Sequence, residues 1–200
     1  MLPAVNRLSA VIVLLVLPAF AAKLPDVQQV TPAVYRGCQP TAEGIVALAK
    51  MGIRTIVDLR GGWIHAPHEK RLVQNAGMRY IAAPLSGFFA PSDTEIAKIL
   101  AVLEDPGAAP VFVHCKRGAD RVGLVIACYR MVHDHWSNQQ ALSDARAHRL
   151  SPFEVLMAQY LAHFHAERVR GLLLMQSLPG VDAGGAVSGN VVGNLRDGKK

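Results

Sequence analysis

An α/β domain, built on a central, largely parallel sheet of four to five strands flanked by helices, is the fold class that three observations predict. Four short β-like runs alternate with helical patterns as far as residue 114. The fourth run leads through a short loop into a segment apolar nearly all round, the mark of a buried central helix. The composition agrees with both. Two hundred residues, 51% hydrophobic and 18% charged, are one core's worth of chain and exclude a disordered one.

The elements follow in order. Ala33–Arg36 is the first β-like run. Thr41 then caps a helix that carries Ile45, Leu48 and Ala49 on one face, with Gly52 after its end. Thr55–Leu59 is the second run, and Pro67–Ala76 a weaker helix closed by Gly77. Tyr80–Pro84 is the third. Ser92-Asp93-Thr94-Glu95 reads as a capping box ahead of Ile96, Ile99, Leu100 and Leu103, the spacing of an amphipathic helix. Val111–His114 is the fourth run and Val122–Val132 the buried helix, with Cys128 as core packing. Ser137 caps the next helix. Ser151-Pro152-Phe153-Glu154 predicts a second capping box, with proline at the first helical position. From it a stripe of Phe153, Leu156, Met157, Tyr160, Leu161 and Phe164 is expected to face the core.

The ends set the domain limits. Arg7, the apolar run Leu8–Phe20 and the small-x-small triplet Ala19-Phe20-Ala21 predict a cleavable secretory signal over residues 1–22. Export to the periplasm or medium is therefore expected, with no stable membrane insertion after cleavage. Residues 176–200 lack periodicity and read as a flexible tail, which leaves 23–175 as the folded unit. Three cysteines are too few for a disulfide scaffold. The net charge of +6 favours anionic partners, but no motif supports nucleic acid. His133 and His135, like His163 and His165, diverge on a helix, so no metal site is expected.

One stretch carries chemistry. Cys115-Lys116-Arg117-Gly118-Ala119-Asp120-Arg121 joins the fourth strand to the buried helix. Such a loop turns successive backbone N–H groups into one hollow at a helix N-terminus, where the dipole amounts to ~+0.5 charge. The hollow suits a tetrahedral dianion. If the loop curls, Cys115 sits beneath the phosphorus and the Arg121 guanidinium grips two oxygens side-on. Gly118 suits a backbone that approaches the ligand closely. The same field lowers a thiol's pKa from about 8.5 to ~3.5–7.5 and makes it a nucleophile.

His114-Cys115-x5-Arg121 resembles the signature of the cysteine-dependent protein tyrosine and dual-specificity phosphatases. Val34-Tyr35-Arg36-Gly37-Cys38-Gln39-Pro40 and Thr55-Ile56-Val57-Asp58-Leu59-Arg60 look like the opening strands of their small members. The resemblance covers about residues 33–165. It implies a phosphatase acting through a phosphocysteine on Cys115, with Arg121 binding the phosphoryl oxygens. It places His114, Lys116, Arg117, Gly118, Ala119, Val122 and Gly123 around the substrate, and it requires no metal or organic cofactor. The implied substrate is a phosphorylated protein or a polyphosphorylated small molecule. Lys116-Arg117-Gly118 resembles the loop of atypical members acting on inositol pyrophosphates, from which Ala119-Asp120 departs.

Two further departures stand out. The family places Ser or Thr after the arginine, where this chain has Val122; a lost hydrogen bond to a charged group costs about 1.5–3 kcal/mol. The family also takes a general acid from the loop before the nucleophile strand, and residues 85–91 hold no aspartate. Asp93 and Asp120 are the candidates. Asp93 falls in the first turn of a capped helix, and Asp120 lies in the loop itself, as in myotubularin-type enzymes, as acid or as scaffold. Two rival readings are a non-catalytic phosphate-binding module and a thiol-based arsenate reductase or sulfurtransferase.

Overall fold

Residues that alternate in direction along a short strand commit its two faces to two separate cores, and this chain uses both faces. The computed structural model describes residues 26–60 and 66–177. The expected signal and residues 178–200 of the expected tail lie outside them. The strands are β1 (Gln28–Gln29), β2 (Val34–Gly37), β3 (Thr55–Asp58), β4 (Arg79–Ala82) and β5 (Val111–His114). They lie in the order β1-β2-β5-β3-β4, parallel throughout except for β1. The α/β class and the four expected strands are thus present, with ends displaced by no more than two residues. Only β1 was not foreshadowed; it is two exposed glutamines with no apolar alternation to mark it.

One face of the sheet packs α1 (Ala42–Lys50) and α2 (Ala66–Asn75), through Ile45, Leu48 and Val73 against Ile56 and Phe112. The other face carries Val34, Val57, Val111 and Val113 against α3 (Asp93–Glu104), α4 (Asp120–His133), α5 (Asn138–Ala147), α6 (Val155–Ala162) and α7 (Ala166–Ser177). Thr41 and Ser92 cap α1 and α3 as the sequence predicts, the latter in a complete capping box. Helix α4 follows β5, the middle strand, and eleven of its fourteen residues are buried. Its N-terminus therefore opens at the carboxyl end of the sheet, where open α/β folds hold ligands. Among the described residues, no helix is long and apolar enough to cross a membrane.

The structure corrects two expectations. Ser151–Glu154 does not open a helix: α6 starts at Val155, and Glu154 before it gives no side-chain cap. The Ser151 N–H instead donates to Asp120 Oδ1 at 2.9 Å, while the Ser151 hydroxyl accepts from the Phe153 N–H at 3.2 Å. A bond from across the fold turns the segment into a short loop, and the stripe loses its start. Phe153 is 91% exposed and Leu156 is exposed too, whereas Met157, Leu161 and Phe164 are buried. The second correction is α7, a separate helix that runs two residues past the expected domain end. It docks through Arg170, whose guanidinium donates to the carbonyls of Met131 and Val132 at the end of α4.

Ser137 forms a full capping box with Gln140 at the start of α5. Ser137→Ala should cost about 0.5–2 kcal/mol in urea denaturation. Ser151→Ala should stay within about 0.5 kcal/mol, because the bond that matters there comes from its backbone N–H.

Candidate active site

Cys115 lies at the carboxyl end of β5 and is 2% exposed. Its neighbours are set by the register: Gly37 and Asp58 flank His114, so Cys38 and Leu59 stand one place on, beside Cys115. The loop that follows is pressed onto the β2–α1 corner. Gly118 has φ +67°, and a Cβ there would meet the Gly37 carbonyl carbon at 2.6 Å and the Cys38 nitrogen at 2.7 Å. Only glycine fits.

That contact orients the peptide groups. The Lys116 carbonyl accepts from the Gln39 N–H at 3.4 Å, and the Gly118 carbonyl from Arg36 Nη2 at 3.3 Å. In a planar trans peptide the next N–H points the opposite way, so those of Arg117 and Ala119 turn from the β2 side into the hollow. Among the described residues, the N–H groups of Lys116, Arg117, Gly118 and Ala119 have no protein partner. Four free donors above a thiol, at the N-terminus of a fourteen-residue helix, form an anion cradle.

Arg121 closes it. Its Nη1 donates to the Leu59 carbonyl at 3.2 Å, which places the guanidinium on the β3 side of Cys115. The same carbonyl accepts the Leu85 N–H at 3.2 Å. Lys116 and Arg117 are exposed at the rim, and Arg117 Nη2 pairs with Asp120 Oδ2 at 2.6 Å.

The other expected residues divide. His114, adjacent to Cys115, projects from the opposite face of the sheet and is fully buried, so it leaves the substrate set. Its Nε2 lies 2.7 Å from Glu69 Oε1 and its Nδ1 3.3 Å from the Cys115 carbonyl. Val122 is buried in the core, and the Gly123 N–H is already given to the Ala119 carbonyl at 2.6 Å. Asp120 is nearly buried, its two oxygens holding Arg117 and the Ser151 N–H. Asp93 is tied elsewhere, accepting from the Tyr160 hydroxyl at 2.9 Å and Arg168 Nη1 at 3.0 Å. Burial, with Cys128 and Asp93 beside it, pushes the Tyr160 phenol up and keeps it a donor. Both candidate acids therefore serve as acceptors.

Sequence reasoning missed a buried network behind the nucleophile strand. Asp58 accepts from the Arg60 N–H and Nε at 2.8 Å, from Arg60 Nη2 at 2.6 Å and from the Tyr80 hydroxyl at 2.8 Å. Arg60 Nη2 also reaches Glu69 Oε2 at 2.5 Å. Burial alone would raise the Asp58 carboxyl; the Arg60 bonds, His114 and Tyr80 outweigh it and hold the group below 3.8. Asp58, Glu69 and His114 are close enough to share a cation, and the guanidinium of Arg60 already fills that part.

Residues 21–161 match a family described as DSP-PTPase phosphatase fused to NAD+ kinase. The dual specificity protein phosphatase TpbA of Pseudomonas aeruginosa is 28% identical over 123 residues, which cover 60% of this chain and 52% of TpbA. The inositol diphosphatase DSP5 of Arabidopsis thaliana is 27% identical over 125 residues, 60% of each chain. The chain thus spans a little over half the length of these relatives. In fold it is similar to crystalline TpbA, with TM-score 0.64, 22% identity and coverage of 75% of this chain and 91% of that one. It is similar too to the core catalytic domain of the PP-IP phosphatase SIW14 from S. cerevisiae, with TM-score 0.66, 19% identity and coverage of 76% and 93%.

Two outcomes are expected. Gly118→Ala combines a left-handed backbone with a backbone clash and should cost at least about 1–3 kcal/mol by chemical denaturation. The Asp58 carboxyl titrates lower folded than unfolded, so its stabilisation is complete above the ordinary value and lost as pH falls through the folded one. Asp58→Asn should lower the urea midpoint at neutral pH and flatten its decline below about pH 4.

Proposed function

As this chain belongs to the DSP-PTPase family of phosphatases, we propose that it hydrolyses phosphoryl esters, with Cys115 as the nucleophile and Arg121 as the phosphoryl clamp. The observation that carries the reading is the run of four N–H groups, residues 116–119, that have no protein partner among the described residues and stand in the loop between Cys115 and Arg121. The thiolate attacks phosphorus in line with the leaving oxygen. The S–P bond forms, the P–O bond breaks, and its electron pair goes to the leaving group. Water then attacks the phosphocysteine, the sulfur departs as thiolate, and the water's proton passes to solvent. The amides and Arg121 stabilise the equatorial charge in both steps.

Asp120 braces the loop against residue 151, and Asp93 staples α3 to α6 and α7. Neither presents a free carboxylic acid to a leaving oxygen. The substrates best suited are those whose leaving groups depart as stable anions, an aryl oxide or a phosphate, ahead of the alkoxide of phosphoserine. Phosphotyrosine in proteins and diphosphate groups on a polyphosphorylated small molecule both qualify, and the relatives' names, a dual specificity protein phosphatase and an inositol diphosphatase, cover both substrate classes, proteins and inositol diphosphates. Lys116 and Arg117 at the rim add attraction for such anions.

Wild type should hydrolyse p-nitrophenyl phosphate in a vanadate-sensitive reaction that Cys115→Ser abolishes. Phosphotyrosine peptide and inositol diphosphate should each turn over at least about 100-fold faster than phosphoserine peptide. Asp93→Asn and Asp120→Asn should each lose far less than the ~10²–10⁴-fold that a general acid contributes, and a loss of that size in either identifies the acid instead. Phosphate binding without turnover would mark a binding module. Arsenate reduction or a persulfide on Cys115 would mark the other thiol chemistries.

A further inference from the structure

Arg36 occupies a place that alternation reserves for the core. It shares a strand face with Val34, which is fully buried, and is itself only 3% exposed. A buried charge is costly unless an opposite charge or a full set of hydrogen bonds meets it. Among the described residues no carboxylate pairs directly with this guanidinium, and its one hydrogen bond goes to the Gly118 carbonyl. It lies between the loop and the first turn of α4, where a Cβ on Gly123 would sit 3.9 Å from Nη2. The groups that bear on it from the packed elements are Asp144 of α5, Cys115 at the end of β5, and Asp26 before β1, all favouring its charge. Arg149, after α5, opposes it. Burial has the largest influence, and the net effect is to move the guanidinium below its ordinary value.

A cation held this way stabilises the empty fold poorly, and the nearest duty open to it is electrostatic. The strand order β2-β5-β3 sets Arg36 on one side of Cys115, while Arg121, bonded to Leu59, stands on the other. Val122 brings no hydroxyl to the first turn of α4. We propose that Arg36 is a positioning residue and the fixed counter-charge of the hollow. It holds the Gly118 carbonyl turned away from the ligand and presents buried positive charge to the thiolate and to the dianion above it. The inference rests on the phosphatase reading.

The test uses the full chain as wild type, Arg36→Met and Arg36→Lys, with inorganic phosphate and p-nitrophenyl phosphate as probes. Arg36→Met should melt at or above the wild-type temperature in phosphate-free buffer, since it removes a buried unpaired charge. Its phosphate affinity should fall at least about 10-fold and its kcat about 10- to 100-fold, the range for a hydrogen bond to a charged group. Arg36→Lys should recover most of the phosphate affinity. Two results overturn the proposal: wild-type affinity and kcat in Arg36→Met, or a loss accompanied by a lower melting temperature that lysine does not rescue. Wild type that neither binds phosphate nor turns over would instead bring down the phosphatase reading, and this proposal with it.

Discussion

Backbone against backbone, with no side chain between, is the contact on which the site depends. Gly118 rests on Gly37 and Cys38 so closely that a single methyl group would push the loop off. With that seat in place, the carbonyls of Lys116 and Gly118 have partners on the β2 side, and the N–H groups of Arg117 and Ala119 in the same peptides are left for an anion. Without it, the loop has no reason to present donors in one direction. The glycine is thus not there for pliancy. It lets two stretches of backbone touch, and the touch sets the polarity of the two peptide groups that carry the Arg117 and Ala119 N–H.

The two faces of β5 divide the remaining work. On one face Val113 and Cys115 join the larger core, and α4 extends that core behind the hollow. On the other, His114 enters a polar cluster with Glu69, Asp58, Arg60 and Tyr80, and also stacks on Phe112 at 5.8 Å. Among the described residues, the cluster reaches the nucleophile through the main chain, at the Cys115 carbonyl. A strand that alternates by residue can therefore anchor its last backbone atoms from one side while offering its sulfur on the other. That separation keeps the buried carboxylates from facing the sulfur directly.

Much of this was legible in the sequence, and the rest failed for identifiable reasons. The strand, loop and buried helix around Cys115 were legible because local signals agree there: apolar strand, glycine, arginine, apolar helix. The box at Ser151–Glu154 misled because the deciding bond comes from Asp120, thirty-one residues away, and outcompetes a local pattern. The resemblance sets His114 around the substrate, whereas strand alternation sends it to the face opposite Cys115. Arg36 carried a usable signal: it stands two residues after Val34 in a run whose alternate positions point inward. The Asp58 cluster joins four separate elements, β3, α2, β4 and β5, and nothing local announces such a meeting.

The carbonyl of Leu59 takes two donors, the Leu85 N–H and Arg121 Nη1. An arginine side chain carries about 2 kcal/mol of rotamer freedom. Here part of that freedom is already surrendered while the clamp is empty, because the guanidinium is latched to the end of β3 instead of waving in water. An anion is then met by the guanidinium's other N–H donors, with little left to order. The same carbonyl also holds the Leu85 N–H, at the root of the loop that bears the exposed rings of Phe88 and Phe89. The clamp and the aromatic loop thus share one anchor, a single oxygen atom.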